Sequence, residues 1–254
     1  MQWKHKVSLD WMKERQSYLT ASDVKNLVPV TKTGRNRVVT DLDRVKVMSH
    51  KMVNITEDDC WSYDAAARGH LLEPYAVAAY NDLALSDPEL GLPTVFHWDD
   101  KLLQKNGINH LAYSPDALDV PMSDKDAVDN VTALVEVKCY NAEKHLTTMY
   151  TKKKQLEERW QIATAMAVSP TIEKACLVLF HPGMKFRKLV VIGFTRSELV
   201  DEIAIVNKVE TEWLDFLKTG VLNKDLSADR HWSAMGGNED AIIKEITERQ
   251  RLNP

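Results

Sequence analysis

The sequence predicts an α/β (α+β) fold, with a helical N-terminal region followed by a central mixed β-sheet flanked by helices. Three observations predict it. Apolar residues recur at helical spacing through residues 8–85, as in Leu72, Ala76, Ala79, Tyr80 and Leu83, which fall on one helical face. From about residue 94 the pattern changes to short strand-like runs. A helical stretch, roughly 152–168, separates the third of these runs from the fourth, as expected where helices cover a sheet.

Taken in order, the first helical region has two expected N-caps, Ser8 and Thr56. Thr56 is followed by Glu57, Asp58 and Asp59, whose charges suit the positive end of a helix. The strand-like runs are 94–98, 108–113, 131–139, 175–181 and 189–195, and a helix over 198–218 follows the fifth. The segment 122–130, with Asp124, Asp126 and Asp129, reads as an exposed hairpin loop. Beyond Gly220 the chain is polar, with a last helix expected over 240–251. No repeat, low-complexity tract or Gly/Ser/Pro-rich linker interrupts it, so one domain over 1–254 is expected. Within it lie a helical part at about 1–90, a sheet-containing core at about 91–220 and a helical tail at about 221–254.

Composition narrows the function classes. The 254 residues are 44% hydrophobic and 28% charged, which excludes wholesale disorder and a membrane class. A net charge of −4 argues against a basic coat for indiscriminate nucleic-acid binding. A DNA enzyme stays open, because Lys and Arg can be concentrated in one channel. Cys60, Cys139 and Cys176 are far apart and odd in number, so they give neither a disulfide framework nor a CxxC zinc site. With no signal-like apolar run near Met1 and no apolar stretch approaching the ~20 residues that span a bilayer, a cytoplasmic protein without membrane partners is expected.

The chemistry lies in Ser114-Pro115-Asp116-Ala117-Leu118 and, after a gap, Leu134-Val135-Glu136-Val137-Lys138-Cys139. In a strand, Glu136 and Lys138 share one face while Val135, Val137 and Cys139 cover the other. Asp116 follows the preceding strand and converges on the same spot if the two strands pair as a hairpin. Phosphodiester hydrolysis uses such a set: carboxylates hold Mg²⁺, the metal polarises the phosphate and acidifies a water, and a lysine positions that water or offsets charge. Taken alone, the pattern reads rather as a turn aspartate and a solvated Glu–Lys pair on an edge strand, since so short a motif recurs by chance.

Four blocks together are more specific. They are Trp11-Met12-Lys13-Glu14-Arg15 leading into Leu19-Thr20-Ala21-Ser22-Asp23-Val24; Arg68-Gly69-His70-Leu71-Leu72-Glu73; the Ser-Pro-Asp and Glu-Val-Lys-Cys motifs; and Arg159-Trp160-Gln161-Ile162. In order and spacing they resemble the phage lambda exonuclease and YqaJ-type viral recombinase family of the PD-(D/E)xK nuclease superfamily. The likeness spans residues 11 to about 168, and the His181-Pro182-Gly183-Met184 turn extends it to about 195.

The resemblance implies a PD-(D/E)xK restriction-endonuclease-like core and a 5′-to-3′ exonuclease acting on double-stranded DNA ends. Such an enzyme releases mononucleotides and leaves a 3′ single strand for phage-type recombination in a bacterial or phage-infected cell. It implies Asp116, Glu136 and the backbone carbonyl of Val137 as metal ligands, Lys138 beside the attacking water, and Glu73 as a ligand of a second metal. Mg²⁺ is the implied ion, two per site, with Mn²⁺ as an alternative. Gln161 would orient DNA or the site, and Arg15 and Ser22, with Thr20 beside them, would receive a 5′-terminal phosphate. A ring-shaped homotrimer and a single-strand annealing protein are the implied partners. Ala117 stands where the family usually has Gly after the motif Asp, and Ala163 where a second Gln is frequent.

Each assignment has a plainer counterpart. Glu73 suits the first turn of a helix beside Pro74, Gln161 an ordinary helix surface, and Thr20 or Ser22 a simple cap with Arg15 solvated. Lys32, Arg35 and Arg37, and the run Lys152-Lys153-Lys154, could track phosphates, but charge runs are usually solvated faces. No histidine has metal-ligand spacing. The seven tryptophans read as core or interface, or as a wedge that splits duplex ends. Another PD-(D/E)xK endonuclease and a non-catalytic DNA-binding recombination scaffold are the competing functions. A Cas4-like enzyme is disfavoured because its cluster wants four cysteines, and retention of all four key residues speaks against a scaffold.

Overall fold

A computed structural model describes residues 3–30, 36–99, 101–104, 110–123 and 129–219. The chain divides into two compact units, Met1–Thr211 and Glu212–Pro254, and residues 212–219 of the second form the end of the last described helix.

The N-terminal part contains β1 (Lys4–Lys6), α1 (Leu9–Gln16), β2 (Leu19–Thr20), α2 (Ala21–Leu27), α3 (Asp41–Met52), β3 (Trp61–Tyr63) and α4 (Asp64–Ser86). It is helical as expected, but three short strands punctuate it. Ser8 caps α1, its hydroxyl accepting from the Trp11 N–H at 3.1 Å. Thr56 does not cap a helix. Its N–H and hydroxyl both donate to Asp59, at 2.8 and 2.7 Å, so the acidic run closes a turn. Such local side-chain bonds compete with helix formation. The chain then extends as β3 against β1, and α4 begins only at Asp64.

The second part contains β4 (Phe96–His97), β5 (Leu103–Gln104), β6 (Leu111–Tyr113), β7 (Ala117–Leu118), β8 (Ala133–Lys138), α5 (Ala142–Tyr150), α6 (Arg159–Val168), β9 (Lys174–Phe180), β10 (Leu189–Thr195) and α7 (Val200–Thr219). The central sheet has the order β10-β9-β8-β7-β4, with β8 and β9 parallel and the other pairs antiparallel. The mixed sheet expected from the sequence is thus present. Of the run expected at 108–113, residues 108 and 109 lie outside the described residues, and Leu111–Tyr113 contribute instead to a separate three-stranded sheet, β2-β6-β5. The helix expected over 152–168 starts late, after a 3-10 turn at Lys153–Gln155, and α5 was not foreseen. Residues 124–128 of the expected hairpin loop, and the whole of the expected helix 240–251, lie outside the described residues.

The core explains the arrangement. α4 lays Ala76, Val77 and Tyr80 on Val135 and Val137 of β8 and on Cys176, Val178 and Phe180 of β9. Leu134, Leu177 and Leu179, which alternate with these, are also buried, so the middle strands are covered on both faces. No helix among the described residues is long and apolar enough to cross a membrane.

Candidate active site

Alternation along β8 sends Val135 and Val137 into the α4 core and leaves Glu136 and Lys138 for the opposite side. Asp116 immediately precedes β7, whose Ala117 pairs with Val135 of β8. That register brings Asp116 beside Val137, whose N–H donates to Asp116 Oδ2 at 2.7 Å. The Trp98 N–H donates to the Asp116 carbonyl at 2.9 Å and pins the same residue from β4's side. Lys138 donates to the Glu136 carboxylate. The expected convergence is therefore present, although β7 rather than β6 pairs with β8. Ala117 is fully buried in extended β7 and has no positive φ, so the position does not require glycine.

Glu73 arrives on α4, near the middle of its 23 residues rather than in the first turn. Pro74 lies inside the same helix and cannot return an N–H to the His70 carbonyl one turn back. The Glu73 carboxylate is 3.6 Å from His70 Nδ1, and the His70 ring stacks on His5 of β1 at 4.9 Å between centroids.

The charges act strongly on one another. Burial, and then the Glu136 and Glu73 carboxylates, push the Asp116 carboxyl well above its ordinary range against the pull of Lys138 and the Val137 N–H. Burial also works to raise Glu73, but His70, Lys138 and His97 outweigh it and hold that carboxyl below its usual value. Burial would lower Lys138, yet Glu136, Asp116 and Glu73 hold its ammonium above the normal lysine range.

These groups line one cleft of about 310 Å³, together with Trp11, Arg15 and Gln161. Arg15 packs over the Trp11 ring at 4.4 Å and donates to Ser22 Oγ at 3.1 Å. Ser22 in turn is 2.9 Å from Thr20 Oγ1, while Thr20 gives its proton to Asp23 in the capping box that starts α2. Thr20 therefore serves as the cap of α2. Ala163 is buried on α6 and offers the cleft nothing polar.

Other sequence candidates are engaged elsewhere. Arg37 donates to the Val28 carbonyl at 3.0 Å and pairs with Asp43, and Lys153 pairs with Glu198 at 2.8 Å. Lys32, Arg35 and Trp232 lie outside the described residues. Trp98, Trp160 and Trp213 are buried, whereas Trp3 and Trp61 are exposed. The residues around the site that sequence reasoning missed are His70, Trp98, Tyr140 and Arg68. His70 carried a usable signal, since i and i+3 positions of a helix are neighbours and it stands three before Glu73.

Carboxylate and carbonyl oxygens are the donors a hard divalent cation prefers, so the chemistry of Glu73, Asp116, Glu136 and Val137 suits Mg²⁺. Burial, and then the crowding of three acids against one lysine, displace Asp116, and this is the electrostatic situation that a cation relieves. Among the described residues, no three His, Cys, Asp or Glu side chains are yet arranged around a common point, and Glu136 is engaged by Lys138.

The model of the YqaJ-like viral recombinase domain matches residues 10–171, more than half of the chain. No curated protein matches it. Among solved structures, an alkaline exonuclease (LHK-Exo) from Laribacter hongkongensis is similar at 22% identity, with a TM-score of 0.54, over 83% of this chain and 96% of that one. LHK-Exo in complex with dAMP gives a TM-score of 0.52 at the same identity and coverage. These likenesses show a shared fold, a mixed sheet flanked by helices.

Proposed function

We propose that this chain, which belongs to the YqaJ-like viral recombinase family, is a metal-dependent exonuclease that degrades one strand of linear double-stranded DNA from its 5′ end. The observation that carries the reading is the meeting of Glu73, Asp116, Glu136 and Lys138, from three separate chain segments, in one cleft that Arg15 also lines. Products are mononucleotides and a 3′ single strand, the substrate on which a single-strand annealing protein would act in phage-type recombination.

Glu73, Asp116, Glu136 and the Val137 carbonyl would hold Mg²⁺, with Mn²⁺ as an alternative, and such an ion polarises a phosphate and acidifies water. The chain's own residues do the rest. The β7–β8 pairing holds Asp116 against the Val137 N–H, so this one carboxylate is held in place before substrate arrives. Lys138 places a permanent cation beside them to offset the negative charge that builds on the phosphate. Gln161 faces the same cleft from α6 and can orient the strand. Arg15 offers its guanidinium at the cleft wall for a terminal phosphate.

The test is degradation of a linear duplex with one 5′-phosphorylated end, with Mg²⁺ and with chelator. Lys138→Ala and Glu136→Gln should lower the rate by at least about two orders of magnitude, in line with loss of an electrostatic catalytic group, while sparing folding and DNA binding. Substantial Mg²⁺-dependent degradation by either variant, or cleavage in chelator, overturns the reading. Cutting of a closed circular plasmid would identify an endonuclease instead.

A further inference from the structure

Three elements must be held in register for this cleft to exist: α4 with Glu73, β8 with Glu136 and Lys138, and α6 with Gln161. The residue that joins them is Tyr140, two positions beyond Lys138. Its backbone carbonyl accepts from Arg68 Nη2 at 2.6 Å, and Arg68 stands on α4 five residues before Glu73. Its hydroxyl donates to Glu158, a carboxylate only 3% exposed at the start of α6, three residues before Gln161. Its ring is covered by the Lys144 ammonium, 3.9 Å from the centroid.

The pairing partners matter. A backbone carbonyl cannot swing, so the bond from Arg68 fixes α4 along its own axis against the end of β8. Five helical residues rise about 7.5 Å, so the anchor lies less than two turns from Glu73. Pro74 weakens the helix hydrogen-bond ladder between anchor and carboxylate, which makes an external fixed point more valuable there. A buried carboxylate such as Glu158 also needs a donor, and Tyr140 supplies it.

We propose that Arg68 is a positioning residue, which through the Tyr140 carbonyl sets where Glu73 stands relative to Asp116, Glu136 and Lys138. The inference rests on the function proposed above. Arg68 does not line the cleft; it acts through Glu73, and Tyr140 extends the same fixation to α6.

The experiment compares Arg68→Gln, Arg68→Lys, Glu73→Gln and the double variant Arg68→Gln/Glu73→Gln of the full chain on a linear 5′-phosphorylated duplex. Mn²⁺ binding without DNA is measured in parallel from the electron paramagnetic resonance signal of the free ion. Arg68→Gln should lower kcat roughly ten- to a hundredfold, the usual scale for a lost charge-assisted hydrogen bond, with KM for the duplex within about twofold. It should also weaken Mn²⁺ binding, and Arg68→Lys should recover part of both. In the Glu73→Gln background the Arg68 substitution should add less than about threefold, because the two act as one unit. Wild-type kcat in Arg68→Gln, an effect confined to KM, or losses that multiply in the double variant would overturn the inference. If Arg68→Gln does not fold, Arg68→Lys with Glu73→Gln runs the same cycle. A wild-type chain without metal-dependent nuclease activity sinks the proposed function itself, whereas a defective Glu73→Gln beside an unaffected Arg68→Gln sinks only this inference.

Discussion

Arg15 has two neighbours that define its prediction: the Trp11 ring beneath it and Ser22 Oγ at 3.1 Å, close to the start of α2. A 5′-terminal phosphate placed there would gain a charge-assisted bond worth about 1.5–3 kcal/mol. Arg15→Ala should therefore slow cleavage of 5′-phosphorylated ends by roughly one to two orders of magnitude and 5′-hydroxyl ends much less. Equal slowing of both would make Arg15 a general contact. Ser22→Ala should act in the same direction but more weakly, because Thr20 spends its proton on Asp23 and leaves Ser22 to donate to Thr20. The shared face of Glu136 and Lys138 was legible in the sequence because a period of two decides which strand residues share a face, whereas Asp116 joined them only on the condition that its strand pairs with theirs. The placement of Glu73 in mid-helix, and the roles of Tyr140 and Arg68, were not. They depend on contacts such as Arg68 to Tyr140, 72 positions apart, which no local periodicity encodes.

At the scale of elements, the same contrast separates β9 and β10 from α5. Continuous apolar runs marked both strands, whereas α5, Ala-Glu-Lys-His-Leu-Thr-Thr-Met-Tyr, has two adjacent threonines and only 9 residues, too few for its period to stand out. Its one clear local sign was the Asn141 cap, which accepts from the Lys144 N–H at 2.8 Å. The helix is held instead by tertiary contact. His145 is fully buried and donates from Nε2 to the Arg187 carbonyl at 2.9 Å, where Arg187 has a left-handed φ of 54° in the β9–β10 connection. Edge-on to His145, at 6.2 Å between centroids, lies His181. Burial, and then the nearby Arg68 and His145, lower the His181 pKa below its ordinary 6.5. A depressed histidine favours the neutral fold, so its contribution is fully present above pH 6.5 and is lost as pH falls through the lower folded value. The thermal midpoint should thus decline as pH falls below 6.5, and His181→Gln should flatten that decline. An unchanged slope in the variant would show that another group titrates.

For the whole molecule, the question is how a chain of net charge −4 would hold a polyanion. Several cations that might track phosphates are already committed within the protein: Arg37 to Asp43, Lys51 to Asp23 at 2.7 Å, and Lys153 to Glu198. Retention by the remaining cations, through released counterions, would fade with salt. Encirclement holds DNA by topology instead, and a cyclic arrangement of head-to-tail contacts closes upon itself without leaving an open end. Surface contacts of that kind would have no sequence period, so composition and spacing do not speak to assembly. We expect a ring-shaped homotrimer, with light scattering at micromolar concentration giving three times the chain mass. A monomer would overturn it. The ring also predicts an asymmetry in salt response that simple charge attraction does not. Salt added before DNA should suppress loading steeply, whereas the same salt added once degradation has begun should slow the loaded enzyme much less. Equal inhibition in both orders would mean that charge, and not enclosure, keeps the enzyme on its substrate.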